Sequence, residues 1–134
     1  MTLKEQLYRD EGCKDKAYLD TEGHWTIGVG HNLEVPLPPA ILDLILEHDI
    51  RRARRACESL PEYANLSPVR RGVLENMVFN LGLAGFMEFT RMRQALALGD
   101  YREAAKEMLD SKWARQVGAR STRLAQQMIT NEWV

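Results

Sequence analysis

A chain of 134 residues, 45% hydrophobic and 28% charged, is long enough to bury one real core and reads as a globular protein of a single folding unit. No apolar run approaches the ~20 residues of a membrane span, and no basic segment followed by an apolar one stands at the start, so neither a membrane protein nor one exported by an ordinary signal is expected. The formal net charge of −1 divides into −6 over residues 1–50, +2 over 51–88 and +3 over 89–134; without a positive excess the chain lacks the phosphate-neutralising charge that nucleic-acid binding draws on.

Thr2, with Glu5 three residues later, forms a capping box for a helix over Leu3–Glu11, and Gly12 stops it. Ala17–Leu19 and Trp25–Val29 read as two strands of a hairpin about the turn Asp20-Thr21-Glu22-Gly23. Three prolines make Leu33–Pro39 an extended connection. From Ala40 a long helix begins, with Ile41, Leu44, Ile45, His48 and Ala53 at helical spacing. Its basic half, Arg51, Arg52, Arg54 and Arg55, is read as a solvated face pairing with nearby acids rather than as a nucleic-acid module.

Ser67-Pro68 is an N-cap followed by proline at the first helical position. The apolar face Val69, Val73, Leu74, Met77, Val78 and Leu81 is broad enough to imply a buried central helix, ending at Gly82. Leu83–Phe89 is then a short connection, and Thr90 caps a helix through Leu98. Asp100 and Glu103 cap the next, to about Leu109. Lys112–Gln116 is a short helix, Gly118 a break and Ser121–Asn131 the last helix. The total is two strands and about seven helices, an α+β protein that is mostly α.

Chemistry concentrates in residues 9–31, RDEGCKDKAYLDTEGHWTIGVGH. Glu11 closes a helix, where the negative end of the macrodipole favours a proton on a carboxyl. Asp20 opens a turn, where carboxylates are solvated and stay ionised. One acid kept protonated and one kept ionised is what acid/base hydrolysis needs. Thr26 follows on the second strand, and the glycines of Thr26-Ile27-Gly28-Val29-Gly30-His31 mark a place where a ligand or another backbone comes close. Cys13 and Cys57 are expected as free thiols, with no metal spacing and no histidine patterned to pair with either. His24 and His48 receive no role, and no metal or cofactor is called for.

Glu11, Asp20 and Thr26 in that order, followed by Gly-x-Gly-His, closely resemble the catalytic segment of the phage lysozyme (endolysin muramidase) family, glycoside hydrolase family 24. The resemblance extends over nearly the whole chain, through Asn76-Met77-Val78-Phe79-Asn80-Leu81-Gly82, Ala104-Ala105, Ser111-Lys112-Trp113, and Arg120 with Arg123. It implies a single lysozyme domain with two lobes and an active-site cleft between them. The small hairpin lobe covers about 12–48, a linker helix about 40–58, and the helical lobe about 59–134 together with the N-terminal helix 3–11. The stretch between His31 and Asp49 is shorter than in longer members, so a strand or short helix of the small lobe is expected to be missing.

The implied activity is hydrolysis of the β-1,4 bond between N-acetylmuramic acid and N-acetylglucosamine in peptidoglycan by an inverting route, leading to bacterial cell lysis. Glu11 is then the general acid, while Asp20 and Thr26 hold and activate a water. Gly30, Asn32, Phe79, Met92 and Glu107 stand at substrate-contacting positions, although Asn32, Met92 and Glu107 differ in residue type from the best-known members. His31 is expected to pair with Asp49, and Arg120 with Asp10 or Glu11. The resemblance further implies a monomer without stable membrane association, made in a host cytoplasm without a signal peptide and reaching the wall after a separate protein opens the membrane. Two other readings stay open: a lytic transglycosylase using Glu11 alone, against which Asp20 and Thr26 argue, and a non-catalytic wall-binding domain, against which both acids argue.

Overall fold

The computed structural model describes residues 1–134, as seven helices and one three-stranded antiparallel sheet, a mostly helical α+β fold. It divides into two compact units, Met1–Asp43 and Leu44–Val134.

In the first unit, helix α1 (Leu3–Glu11) starts from the capping box read in the sequence: Thr2 Oγ1 accepts from the Glu5 N–H at 3.2 Å and Glu5 Oε2 from the Thr2 N–H at 2.6 Å. It ends at Gly12, whose φ of 69° and N–H bond to the Tyr8 carbonyl turn the chain out of the helix. Strands β1 (Lys14–Leu19), β2 (Trp25–Gly28) and β3 (His31–Asn32) follow, in spatial order β1-β2-β3. The hairpin was legible; β3 was not. Two residues long, β3 is defined by its pairing on β2, Thr26 opposite Asn32 and Ile27 opposite His31, so no periodicity announces it. The helix α1 falls in this unit with the sheet.

Helix α2 (Pro39–Cys57) contains the boundary between the units. Of its arginines, Arg54 meets Glu75 at 2.8 Å, as the solvated-face reading expects. Helix α3 (Pro68–Met87) is capped by Ser67, whose hydroxyl accepts from the Arg70 N–H, and it buries Val73, Leu74, Met77 and Val78. Gly82 interrupts it at φ 76°, ψ 164°, but Leu83–Met87 are helical again, where the sequence reading expects a connection. Burial of Phe86 rewards that extra turn. The remaining helices are α4 (Thr90–Ala97), α5 (Tyr101–Leu109), α6 (Lys112–Val117) and α7 (Ala119–Thr130). Thr90 is the first residue of α4 rather than its cap, and no side chain caps that end; Asp100 and Ser111 do cap α5 and α6. No helix is long and apolar enough to cross a membrane.

The core lies in the second unit, where Leu74, Met77, Phe86, Met92, Met108 and Met128 are fully buried and α5 packs on both α4 and α7. Four methionines among these six suit helices meeting at irregular angles, because an unbranched thioether fills gaps a branched chain cannot. The far end of α7 is latched by Arg70, which donates to the carbonyls of Met128 and Ile129 while its guanidinium lies 3.6 Å from the centre of the Tyr101 ring.

One buried charge supports a stability prediction. Glu62, its side chain only 5% exposed, is held by Arg93 through Nε at 2.5 Å and Nη2 at 3.4 Å. Removing one partner of such a pair strands the other charge in a low-dielectric site. Arg93→Met is therefore expected to lower the unfolding free energy by about 3 kcal/mol, whereas exchanging both partners for apolar residues costs far less. Urea unfolding monitored by circular dichroism decides it; a single-variant loss below about 1 kcal/mol would show the pair to be solvated like a surface one.

The two cysteines are free and differ sharply. Cys57 is fully buried, and burial, with a smaller push from the Glu75 carboxylate, drives its thiol up to about 12; Cys13 is exposed. Because the thiolate is the reacting species, iodoacetamide at pH 8 is expected to label Cys13 and to spare Cys57 until urea unfolds the chain. Peptide mass spectrometry reads this directly. Equal labelling of both in the folded protein contradicts the burial of Cys57.

Candidate active site

Glu11 is the last residue of α1, and its neighbour across the fold is Gly30, in the reversal between β2 and β3. A Cβ placed on Gly30 would lie 3.4 Å from Glu11 Oε2, and the Gly30 φ of 67° is one that other L-residues rarely adopt. Glycine there both makes the turn and lets the backbone approach the carboxylate. Glu11 itself is exposed, open to a ligand.

Asp20 forms an Asx turn. Its Oδ1 accepts from the backbone N–H of Glu22 at 2.9 Å and of His24 at 2.8 Å, while the Asp20 carbonyl accepts from the Gly23 N–H at 3.1 Å. The His24 N–H above all holds the Asp20 carboxyl below its usual value; desolvation opposes it, and the Glu22 N–H and the His24 ring add smaller pulls in the lowering direction. These donors all converge on one oxygen or on the backbone, leaving Oδ2 for a water or a sugar hydroxyl. Thr26, only 4% exposed, donates from Oγ1 to the His24 carbonyl at 2.9 Å and keeps lone pairs to accept a further hydrogen bond.

His24 thus binds both residues through one peptide unit on each side of its Cα: its N–H holds Asp20 and its carbonyl holds Thr26. Its ring is engaged as well, with Nδ1 3.0 Å from Glu34 Oε2 and Nε2 3.9 Å from Glu22 Oε2. The hydrogen bond and charge of Glu34, with a lesser contribution from Asp20, raise the imidazole above its ordinary value. In the sequence alone His24 has no assigned role, and Glu34 does not stand out. A signal for His24 was present, since it stands four residues after the turn acid and two before the threonine. Glu34 carried none, because only β3 brings it back to the turn.

The other positions named from the sequence are distributed as follows. Asn32 sits in β3 opposite Thr26, its Oδ1 accepting from the Glu34 N–H at 2.9 Å, and His31 is exposed opposite Ile27. In the second unit, Met92 and Glu107 share a pocket of about 490 Å³ with Phe89, Lys112 and Trp113, although Met92 is otherwise wholly within the core. Phe79, 46% exposed, lines a second pocket of about 310 Å³ with Asn76, Arg120 and Trp133. Asp49 borders a third, of about 440 Å³, which Phe79 also lines. Arg120 donates from Nε to Asn76 Oδ1 at 2.9 Å and from Nη2 to the Asn76 carbonyl at 3.3 Å, and Trp113 Nε1 donates to Asn80 Oδ1 at 2.9 Å. The two asparagines of the central-helix motif therefore tie α3 to α7 and α6. Glu11, Asp20, Thr26, Gly30, His31 and Asn32 belong to the first unit; Asp49, Phe79, Met92, Glu107 and Arg120 belong to the second.

Residues 8–127 match the profile described as phage lysozyme. The chain is 31% identical to probable T4-type lysozyme 1 of Dictyostelium discoideum, over 92% of this chain and 91% of that protein. It is 32% identical to the endolysin of Salmonella phage P22, over 78% of this chain and 76% of that one. Against the pre-baseplate central spike protein Gp5 of Enterobacteria phage T4 it is 29% identical over 97% of its own length but spans only 28% of the spike protein. That alignment runs over 160 positions, more than the chain contains, so the relative carries stretches with no counterpart here. A match covering most of the chain, on residues that include the acid at the end of α1 and the acid of the hairpin turn, places the protein: the chain belongs to the phage lysozyme family.

Proposed function

We propose that the chain is a peptidoglycan hydrolase that cleaves the β-1,4 bond between N-acetylmuramic acid and N-acetylglucosamine with inversion, acting as a monomer in the lysis of bacterial cells. The observation that carries this reading is the Asp20–Thr26 arrangement. A carboxylate kept ionised by backbone donors, with one oxygen uncommitted, and a buried hydroxyl with lone pairs to spare are joined through His24. That is a holder for a nucleophilic water. Glu11, exposed beside the bare backbone of Gly30, protonates the departing sugar oxygen. Asp20 and Thr26 orient the water and draw off its proton as it attacks the anomeric carbon from the opposite face. An inverting site keeps its carboxyls ~6.5–9.5 Å apart to admit that water.

Gly30, Asn32, Phe79 and Glu107 supply sugar contacts in this reading, and His31, Asp49 and Arg120 supply supporting charge; Met92, expected from the sequence to touch substrate, is fully buried in the core and serves packing instead. The exposed ring of Phe79 suits the apolar face of a sugar. Product analysis tests the proposal. Digestion of purified peptidoglycan is expected to release hydrated reducing-end muropeptides whose anomeric proton, read by NMR at early times, reports the α form. A β product removes the inverting mechanism. Anhydro products, one water lighter by mass spectrometry, establish a lytic transglycosylase instead. No fragments at all would leave a wall-binding domain.

A further inference from the structure

The His24 side chain is left over once Glu11, Asp20 and Thr26 have been given their work, and it is not idle in the structure. Its ring lies at hydrogen-bond distance from Glu34, a residue beyond β3, and near Glu22 in the turn. Glu34 is itself anchored, its N–H donating to Asn32 Oδ1, and Asn32 is paired with Thr26. The result is a closed circuit: Asp20 to the His24 peptide, His24 ring to Glu34, Glu34 to Asn32, Asn32 to Thr26, and Thr26 back to the His24 carbonyl. A three-stranded sheet this small has little packing to fix a turn by itself, since the residues of β1 are almost all exposed.

Building on the hydrolase reading, we propose that His24 and Glu34 are positioning residues for the water-holding pair: their ion pair clamps the 20–24 turn onto the segment after β3 and so fixes the peptide groups that aim Asp20 and Thr26. Nothing in the chemistry requires either side chain to touch substrate. The charged groups facing the ring are Glu34, Glu22 and Asp20, all acidic, so the clamp is tightest with the imidazole protonated. Because the ring's affinity for a proton is raised by folding, the stabilisation it brings is full below the ordinary histidine range and is lost as pH rises through the raised value. The protonated ring in turn helps Asp20 stay ionised.

The test uses the full chain on soluble peptidoglycan fragments, comparing wild type with His24→Asn, Glu34→Gln and the double variant. Each single change is expected to lower kcat about three- to fivefold, the scale of an exposed charged pair, with KM altered less than about twofold. The double variant is expected to be no worse than the weaker single, because both remove the same contact. His24→Asn should also move the acid limb of kcat to higher pH, which loosening of the sheet alone would not do. Independently of activity, the His24 ring proton followed by NMR is expected to titrate at lower pH in Glu34→Gln than in wild type.

Folded single variants whose kcat and acid limb coincide with wild type overturn the proposal, as does a His24 titration indifferent to Glu34. If His24→Asn fails to fold, Glu34→Gln at its exposed position decides the matter alone. An inert wild type overturns the hydrolase reading and this proposal together; an active wild type with unaffected variants overturns this proposal only.

Discussion

Glu11→Gln is expected to reduce kcat on peptidoglycan by about 10²- to 10⁴-fold, the range spanned by a positioned general acid. An amide of the same shape cannot give up the proton the leaving oxygen needs. The fold should tolerate it well, because Glu11 is exposed and ends α1, where a negative charge opposes the helix dipole. Removing that charge is worth a few tenths of a kcal/mol in the stabilising direction, so the melting temperature should hold or rise slightly while turnover collapses. Turnover within about tenfold of wild type would remove Glu11 from the general acid's role.

Asp20→Asn should cost about 10²- to 10³-fold in kcat, again within the acid/base range, and is the cleaner probe of the second carboxyl. An asparagine Oδ1 still accepts from the Glu22 and His24 N–H groups, so the Asx turn survives and only the ionised oxygen is lost. Asp20→Ala removes the turn as well and is expected to lower stability in addition. The wild-type pH profile carries the sign of the same argument. Backbone donors hold the Asp20 carboxyl below its usual range, so as pH falls the site keeps its base, and activity limited by Asp20 should persist into acid below the ordinary aspartate titration. The stability that those donors confer is likewise present above the ordinary value and lost only as pH falls through the lowered one. Steady-state kinetics of both variants, with circular dichroism as a check on folding, reads these outcomes; an Asn variant close to wild type beside a damaged Ala variant would assign Asp20 to the turn rather than to the chemistry.

Local features were legible because their causes lie within a few residues. The capping box at Thr2 and Glu5, the glycine stop after Glu11 and the Ser67-Pro68 start of α3 each depend on backbone groups one turn away, and the structure realises all three; at Gly82 the helix breaks as expected but, unlike the sequence reading, resumes over Leu83–Met87. The order acid, hairpin acid, hydroxyl was legible for the same reason: a helix end and a tight turn can be recognised one by one. Thr90 was misread because a threonine before an apolar run resembles a cap, whereas here Phe89 occupies that place and the turn closes through the Thr90 N–H to the Glu88 carbonyl.

The sequence by itself determined the mostly helical α+β class, the ends of most helices, the family and the two acids proposed for the hydrolysis, since these follow from short-range periodicity, capping and ordered motifs. Tertiary structure decided what joins distant residues. Only the pairing of β3 on β2 returns Glu34 to His24. Only the packing of α3 beside α6 and α7 gives Asn80 and Asn76 to Trp113 and Arg120. The physical reason is that a hydrogen bond across ten or forty residues leaves no period in the chain: it depends on where folding has already carried the two partners.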